Sequence, residues 1–266
     1  MQPDATTRNR VLAILLPLVV AALVLLAWTA LVRLNDIPSY VLPTPAEIGA
    51  TLITDGPSLL SSAGVTLRMT LEAFLLALLS GFALGVVFAR SRLAELSLAP
   101  YAVILQVTPI VAIAPLIRIW VGLDRPELAI VILAWIVAFF PILSATTLGL
   151  RSTDPNLRDL FALYGANSLQ RLIRLELPSA LPSLMSGIKI AAGLALIGSV
   201  VAEFVAGSGA TTGLAWRISE SGNRLEIARM FAALALLSLI GVGLFFGLSL
   251  LERRLLRHWH QSARES

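Results

Sequence analysis

The stretch "DLFALYGANSLQRLIRLELPSALP", Asp159 to Pro182, lies between two long apolar runs and yet carries Arg171, Arg174 and Glu176. It divides into two helices. In "STDPNLRDLFALYG" Asp154 is placed as an N-cap, Pro155 takes the first helical position and Gly165 is the C-terminal stop. A second helix starts near Asn167 or Ser168 and runs through "LQRLIRLEL" until Pro178. Within it Leu169, Leu172 and Ile173 share one face by the i, i+3, i+4 rule, while Arg171 and Arg174 share another. An amphipathic pair of this kind has two physically open roles: lying on a membrane surface, or docking into a groove of a soluble protein and passing movement to its neighbours.

Outward from this polar island the chain is apolar. Of 266 residues 57% are hydrophobic and 14% charged, against roughly 25% charged in an ordinary soluble domain. Val11 to Val32, Leu96 to Ile117, Leu128 to Leu150 and Met230 to Leu251 carry no charge. At about 1.5 Å per residue each run can cross a hydrocarbon core of roughly 30 Å. Two further spans are less clean: one holds Arg68 and Glu72 near its start, the other holds Lys189 and Glu203. The expectation is an all-α integral membrane protein, one transmembrane domain over residues 1–266. Its six spans are expected near 11–32, 62–89, 97–120, 127–150, 184–206 and 229–251, with a loop over 151–183. The first run follows Arg8 and Arg10 as a signal peptide would, but its length reads as a retained first helix.

The arginines set an orientation. With the N-terminus inside, twelve of the 20 basic residues fall in cytoplasmic segments: Arg8, Arg10, Arg90, Arg92, Arg151, Arg158, Arg171, Arg174, Arg253, Arg254, Arg257 and Arg264. Outer segments hold six, namely Arg33, Arg118, Arg125, Arg217, Arg224 and Arg229. That bias predicts both termini, and the loop 151–183, on the cytoplasmic side. The net charge of +4 reflects the same bias and gives no reason to expect nucleic acid as a partner.

Prolines and small residues mark helices that meet protein. Outside the bilayer, "NDIPSYVLPTPAEIGATL" leads into a short helix near Ala46. Pro100, Pro109 and Pro115 in the third span and Pro141 in the fourth each remove a backbone hydrogen bond that lipid cannot replace. "SGFALG" (Ser80 to Gly85) and "GVGLFFG" (Gly241 to Gly247) offer close helix packing. There is no cysteine, hence neither a disulfide framework nor a thiolate metal site. His258 and His260 lie in the basic tail, away from carboxylates, so neither a metal site nor a catalytic residue is expected.

Residues 159 to 178 resemble the EAA loop of ABC-importer permeases, written as E-A-A, three residues, glycine, nine residues, then I-x-L-P. Gly165 takes the glycine, Leu175 the aliphatic position, and Leu177 with Pro178 the closing pair. Asp159, Leu160 and Phe161 stand where E-A-A is expected: the carboxylate is kept, and two bulkier side chains replace alanine. The wider chain resembles the branch importing nitrate, taurine, aliphatic sulfonates and thiamine pyrimidine precursors. The matching stretches are "YVLPTPAEIGATL" from Tyr40, "SGFALG" from Ser80, "QVTPIVAIAPLIRIWVGL" from Gln106, "FFPILSATTLGLRSTDP" from Phe139, the segment from Leu177 to Leu214 and "LLERRLLRHW" from Leu250.

The resemblance implies a permease subunit of the bacterial inner membrane, acting as a homodimer with two copies of a separate ATPase and fed by an extracytoplasmic solute-binding protein. Asp159, Leu160, Phe161, Gly165, Leu175, Leu177 and Pro178 would then form the contact with the ATPase. ATP and Mg would belong to that partner, and no cofactor is expected in this chain. The sequence agrees with this division: a P-loop needs G-x-x-x-x-G-K-[ST], and the one lysine, Lys189, is followed by Ile190. The glycine-rich "AGSGATTG" from Ala206 has no lysine and reads as a flexible outer loop.

Ionisable and polar residues inside spans are the candidates for the pathway of a small polar or anionic solute. Glu203 stands toward the outer end of span five, where pathway lining and pairing with Arg118 or Arg68 are both open. Gln106, Thr108 and Ser199 join it as candidates. Arg68 and Glu72, at i and i+4, read as a local ion pair, and Lys189 as a structural anchor. The competing readings are an ion-gradient-driven secondary transporter and a membrane scaffold without a transport role. Secondary transporters commonly show inverted repeats and midplane charges, and neither stands out here.

Overall fold

The computed structural model describes residues 5–207 and 212–256, and all the regular elements it describes are helical. They are α1 (Ala5–Leu34), α2 (Pro45–Thr54), α3 (Gly56–Arg90), α4 (Arg92–Val107), α5 (Ile110–Val121), α6 (Pro126–Arg151), α7 (Pro155–Leu163), α8 (Ser168–Arg171), α9 (Leu177–Ala206), α10 (Leu214–Asn223) and α11 (Ile227–Leu255). A π-helical turn, Leu172–Glu176, joins α8 to α9. Among the described residues five helices are long and apolar enough to cross a membrane, or six if α4 and α5 count as one broken span. Many of their large apolar side chains are exposed, as lipid-facing helices require: Leu16, Leu18, Leu23 and Leu26 on α1 and Leu239, Phe245 and Phe246 on α11.

The third span is where expectation and structure differ. Residues 97–120 were expected as one kinked helix, but α4 and α5 meet at 103°. Thr108 precedes a proline and is pushed into extended geometry (φ −69°, ψ 123°), and Pro109 is extended too (φ −63°, ψ 118°). Two consecutive non-helical residues turn a kink into a break.

Contacts divide the chain into two compact units. One comprises Ser61–Trp216 with Leu236–Ser266. Its core is α6, a helix buried on most sides, packed along α9 with α3 beside it. The contact stripe of α3 follows from spacing: Met69, Ala73, Ala77, Gly81, Gly85 and Phe88 recur at i+4 or i+3 and are buried. Water is not available to drive helices together here, so close backbone approach supplies the attraction. Gly81 faces Phe139 O, Gly85 faces Thr146 and Leu143 O, Gly187 faces Pro141 O and Gly198 faces Ala134. The "SGFALG" glycines thus pack against α6. In "GVGLFFG" only Gly241 has a neighbour, Leu196; Gly243 and Gly247 face open space.

The other unit comprises Met1–Leu60 and Arg217–Ala235. Its short helix α2 begins where the sequence places it, with a reciprocal cap: the Thr44 hydroxyl accepts from Glu47 N and the Glu47 carboxylate accepts from Thr44 N at 2.8 Å. Arg229 reaches Asp55 at 3.3 Å and Glu226 at 3.2 Å, and Trp28 stacks at a tilt on Phe231.

Candidate functional site

The loop after α6 is built from caps. Asp154 Oδ1 accepts from Asn156 N at 2.8 Å and Pro155 opens α7. At its far end Gly165 takes φ 70°, its N–H donates to Ala162 O at 3.0 Å and Ala166 N donates to Phe161 O at 3.0 Å. This is a Schellman ending, and the left-handed residue it needs is the glycine. α8 starts with another reciprocal cap, Asn167 with Gln170, at 2.8 and 3.0 Å.

Pro178 does not end the helix, contrary to the sequence expectation. The chain continues from α8 through the π turn into α9, with Leu177 N donating to Leu172 O. An α register would require a Pro178 N–H to reach the Arg174 carbonyl. Widening the turn just before the proline moves the ladder past the missing donor instead.

The seven loop positions named from the sequence fall into two groups. Leu175 is buried and Leu177 packs on the cluster of Leu150, Ala180 and Leu184, with Phe82, Val86, Ala89 and Leu172 around it. Asp159, Leu160, Gly165 and Pro178 are exposed and Phe161 is half-buried. Beside this second group Leu163, Tyr164, Leu169 and Ile173 are also exposed, Leu163 and Tyr164 at 85% and 84%. An apolar patch on the loop is thus left uncovered by this chain.

One residue at the centre of the loop escaped sequence reasoning. Glu176 is 5% exposed and lies 2.8 Å from Arg90 Nη2, 3.0 Å from Arg171 Nε and 3.9 Å from Arg158 Nε. Arg90 also donates to Ser168 O at 3.0 Å. Nearby, Arg151 holds Glu95 through two bonds of 2.8 and 2.7 Å and donates to Phe88 O, while Arg92 takes Glu95 from its other side at 2.7 Å. The available signal was a lone carboxylate inside "LELP" with arginines upstream.

The four pathway candidates separate into two pairs. Ser199 is fully buried and shares a 2.8 Å hydrogen bond with Thr70. Glu203, one turn further along α9, is 1% exposed and receives Trp216 N on Oε1 at 3.2 Å. The N–H groups of Gly213 and Ala215 and the Thr66 hydroxyl also face this carboxylate. Thr66 in turn accepts from Leu214 N at 2.8 Å. Glu203 and Thr66 together therefore cap α10 from other helices, where a negative charge suits the helix N-terminus. Gln106 is exposed on the last turn of α4, and the Thr108 hydroxyl turns back to Ile104 O at 2.6 Å at the α4–α5 break. Among the described residues no hydrogen bond joins this pair to the pair on α9.

Arg68 meets both Glu72 and Glu127, and Lys189 meets Glu252 at 2.6 Å. Among the described residues no salt bridge joins Arg68 or Arg118 to Glu203. Among the described residues no group of three or more metal-binding side chains converges. His258, His260 and the middle of the glycine-rich loop lie outside the described residues.

Residues 77–257 match the family described as binding-protein-dependent transport system inner membrane component. A probable ABC transporter permease protein of Haemophilus influenzae is 32% identical over 91% of this chain and 96% of its own length. The riboflavin transport system permease protein of Chloroflexus aurantiacus is 37% identical over 90% and 88%, and the putative aliphatic sulfonates transport permease protein of Bacillus subtilis 30% over 94% and 87%. Formylaminopyrimidine and taurine transport permeases also align. In fold the chain is similar to a chain of the inward-facing MetNI methionine ABC transporter, with a TM-score of 0.65 at 21% identity over 76% of this chain and 98% of the other.

Proposed function

This chain belongs to the binding-protein-dependent transport system inner membrane component family, the permeases of ABC transporters, and is a multi-pass protein of the inner membrane; from that premise we propose how it works. It forms, with a second copy, the route by which a small polar or anionic solute is imported. The solute is of the sulfonate, taurine, nitrate or pyrimidine-precursor type, delivered by an extracytoplasmic binding protein. ATP, with its Mg, is hydrolysed on two copies of a separate ATPase. Both termini and the loop 151–183 face the cytoplasm, in keeping with the arginine bias, and the whole chain serves as one permease domain.

The observation that carries this reading is the loop from Arg151 to Ser183. It is ordered by its own caps and anchored on Leu175 and Leu177, yet it leaves Leu160, Leu163, Tyr164, Leu169 and Ile173 uncovered beside the exposed Asp159. An uncovered apolar patch rimmed by polar residues is a surface for a protein partner. Closure of an ATPase dimer on ATP would displace these loops, and α9, continuous with α8 through the π turn, would carry the displacement into the membrane. Glu203 supports the same reading in another way: its Oε1 accepts from Trp216 N at the start of α10, as a part that shapes the outer mouth.

The test is to solubilise native membranes gently, capture this chain and identify its companions by mass spectrometry. An ATPase subunit in equal number, with a complex mass fitting two of each, is the expected result. A chain captured without any ATPase would overturn the proposal.

A further inference from the structure

We propose that Glu176 is a positioning residue for coupling. It locks the loop helices to the cytoplasmic end of α3, so that loop movement drives α3 as well as the covalently continuous α9. This inference rests on the coupling reading above and adds to it a second route into the membrane.

The geometry supports a joint more than a simple anchor. Glu176 belongs to neither loop helix; it sits in the π turn, with its side chain 6% exposed. Its three cationic neighbours come from three elements: Arg90 from the last turn of α3, Arg158 from α7 and Arg171 from α8. Arg90 bonds the carboxylate at 2.8 Å and the first residue of α8, through Ser168 O, at 3.0 Å. Arg158 ties α7 back to Leu150 O at 2.6 Å. A single carboxylate thus holds together three guanidinium groups that would otherwise repel one another.

Removing the carboxylate charge leaves three like charges facing each other, and α3 is the element with no covalent link to the loop. Its ionic hold on the loop helices passes through Arg90, beside the packing of Phe82, Val86 and Ala89 on the Leu150, Ala180 and Leu184 cluster, while α9 keeps the peptide chain. The two routes are therefore separable by substitution. The π turn that aims Glu176 is itself a local departure of the kind found at functional sites in helices.

The chain has no cysteine, so single cysteines can carry spin labels without background. In the complex co-purified with its ATPase, one label at Val87 reports the α3 end and one at Asn156 reports the loop, each as a distance between the two copies. Both positions are exposed. With Glu176 intact, trapping with ATP and vanadate is expected to shift both distances. In Glu176→Gln and in Arg90→Gln the Asn156 shift is expected to remain and the Val87 shift to shrink. Arg90→Gln removes only the ionic part of the α3 hold and stands in should Glu176→Gln fail to assemble. A Val87 shift of unchanged size in either variant overturns the joint. An Asn156 distance that ignores ATP in the unsubstituted complex overturns the coupling reading on which the joint depends.

Discussion

Replacing Gly85 by alanine places a methyl group where α6 already stands. A Cβ there would lie 2.5 Å from Thr146 Cβ, 2.7 Å from its Cγ2 and 3.1 Å from Leu143 O. None of these atoms ends a flexible side chain: Thr146 is fully buried and its hydroxyl bonds Ile142 O at 2.7 Å. Since carbon contacts are comfortable at about 3.5–4.0 Å, α3 has to withdraw from α6 by about 1 Å. Overpacking of this kind costs about 1–3 kcal/mol, offset by about 0.5–1 kcal/mol from the preference of a helix for alanine over glycine. The net is a loss of about 1–2 kcal/mol. Gly243 is the control, because a Cβ there meets nothing within 4 Å, so the same substitution keeps only the gain of about 0.5–1 kcal/mol. The two variants should differ by about 2 kcal/mol, roughly a 30-fold difference in the unfolding constant. Reversible unfolding in mixed micelles of rising dodecyl sulfate fraction, followed by tryptophan emission, measures it. Equal midpoints for the two variants would refute the close-approach account of the α3–α6 interface.

Three further outcomes are expected. Glu203→Ala strips the cap of α10 and leaves buried N–H groups unpaired, at about 1–3 kcal/mol; Glu203→Gln, which keeps an acceptor, should lose less, and amide exchange at Gly213 to Trp216 should accelerate in the same order. Gly165→Leu forces a side chain into φ 70°, costs about 1–2 kcal/mol locally and should reduce the ATPase recovered with the chain; full recovery with normal ATP-driven uptake would count against the loop's role. Arg151→Glu should loosen α4 from the end of α6 by repelling Glu95 and lower the midpoint of the same micelle titration; adding Glu95→Arg should restore it only in part, because Arg92 then faces a like charge.

What could be read in advance depended on whether the cause of a feature lay nearby in the chain. Charge-free runs announce helices long enough to span, and Asp154, Pro155, Gly165 and Asn167 announce the ends of α7 and the start of α8, because each acts within one or two turns. The α4–α5 break was only half legible. Pro109 signals a lost hydrogen bond, but the 103° bend also needs Thr108 to be extended, which is the same proline acting on its neighbour. At Pro178 the local rule identified the missing donor and misjudged the remedy, since a π turn re-registers the ladder instead of ending it. At Glu176 only the near partner was legible, Arg171 five residues upstream; Arg90, which ties it to α3, is 86 residues away in sequence. Glu203 poses a different difficulty. In the sequence its natural counterpart is a cationic side chain, whereas the structure supplies backbone N–H groups, which every residue but proline carries and which no letter marks. An apolar surrounding requires a partner for every buried charge. It does not require that partner to be a charge, and this is why intramembrane carboxylates are easily found in a sequence and poorly assigned from it.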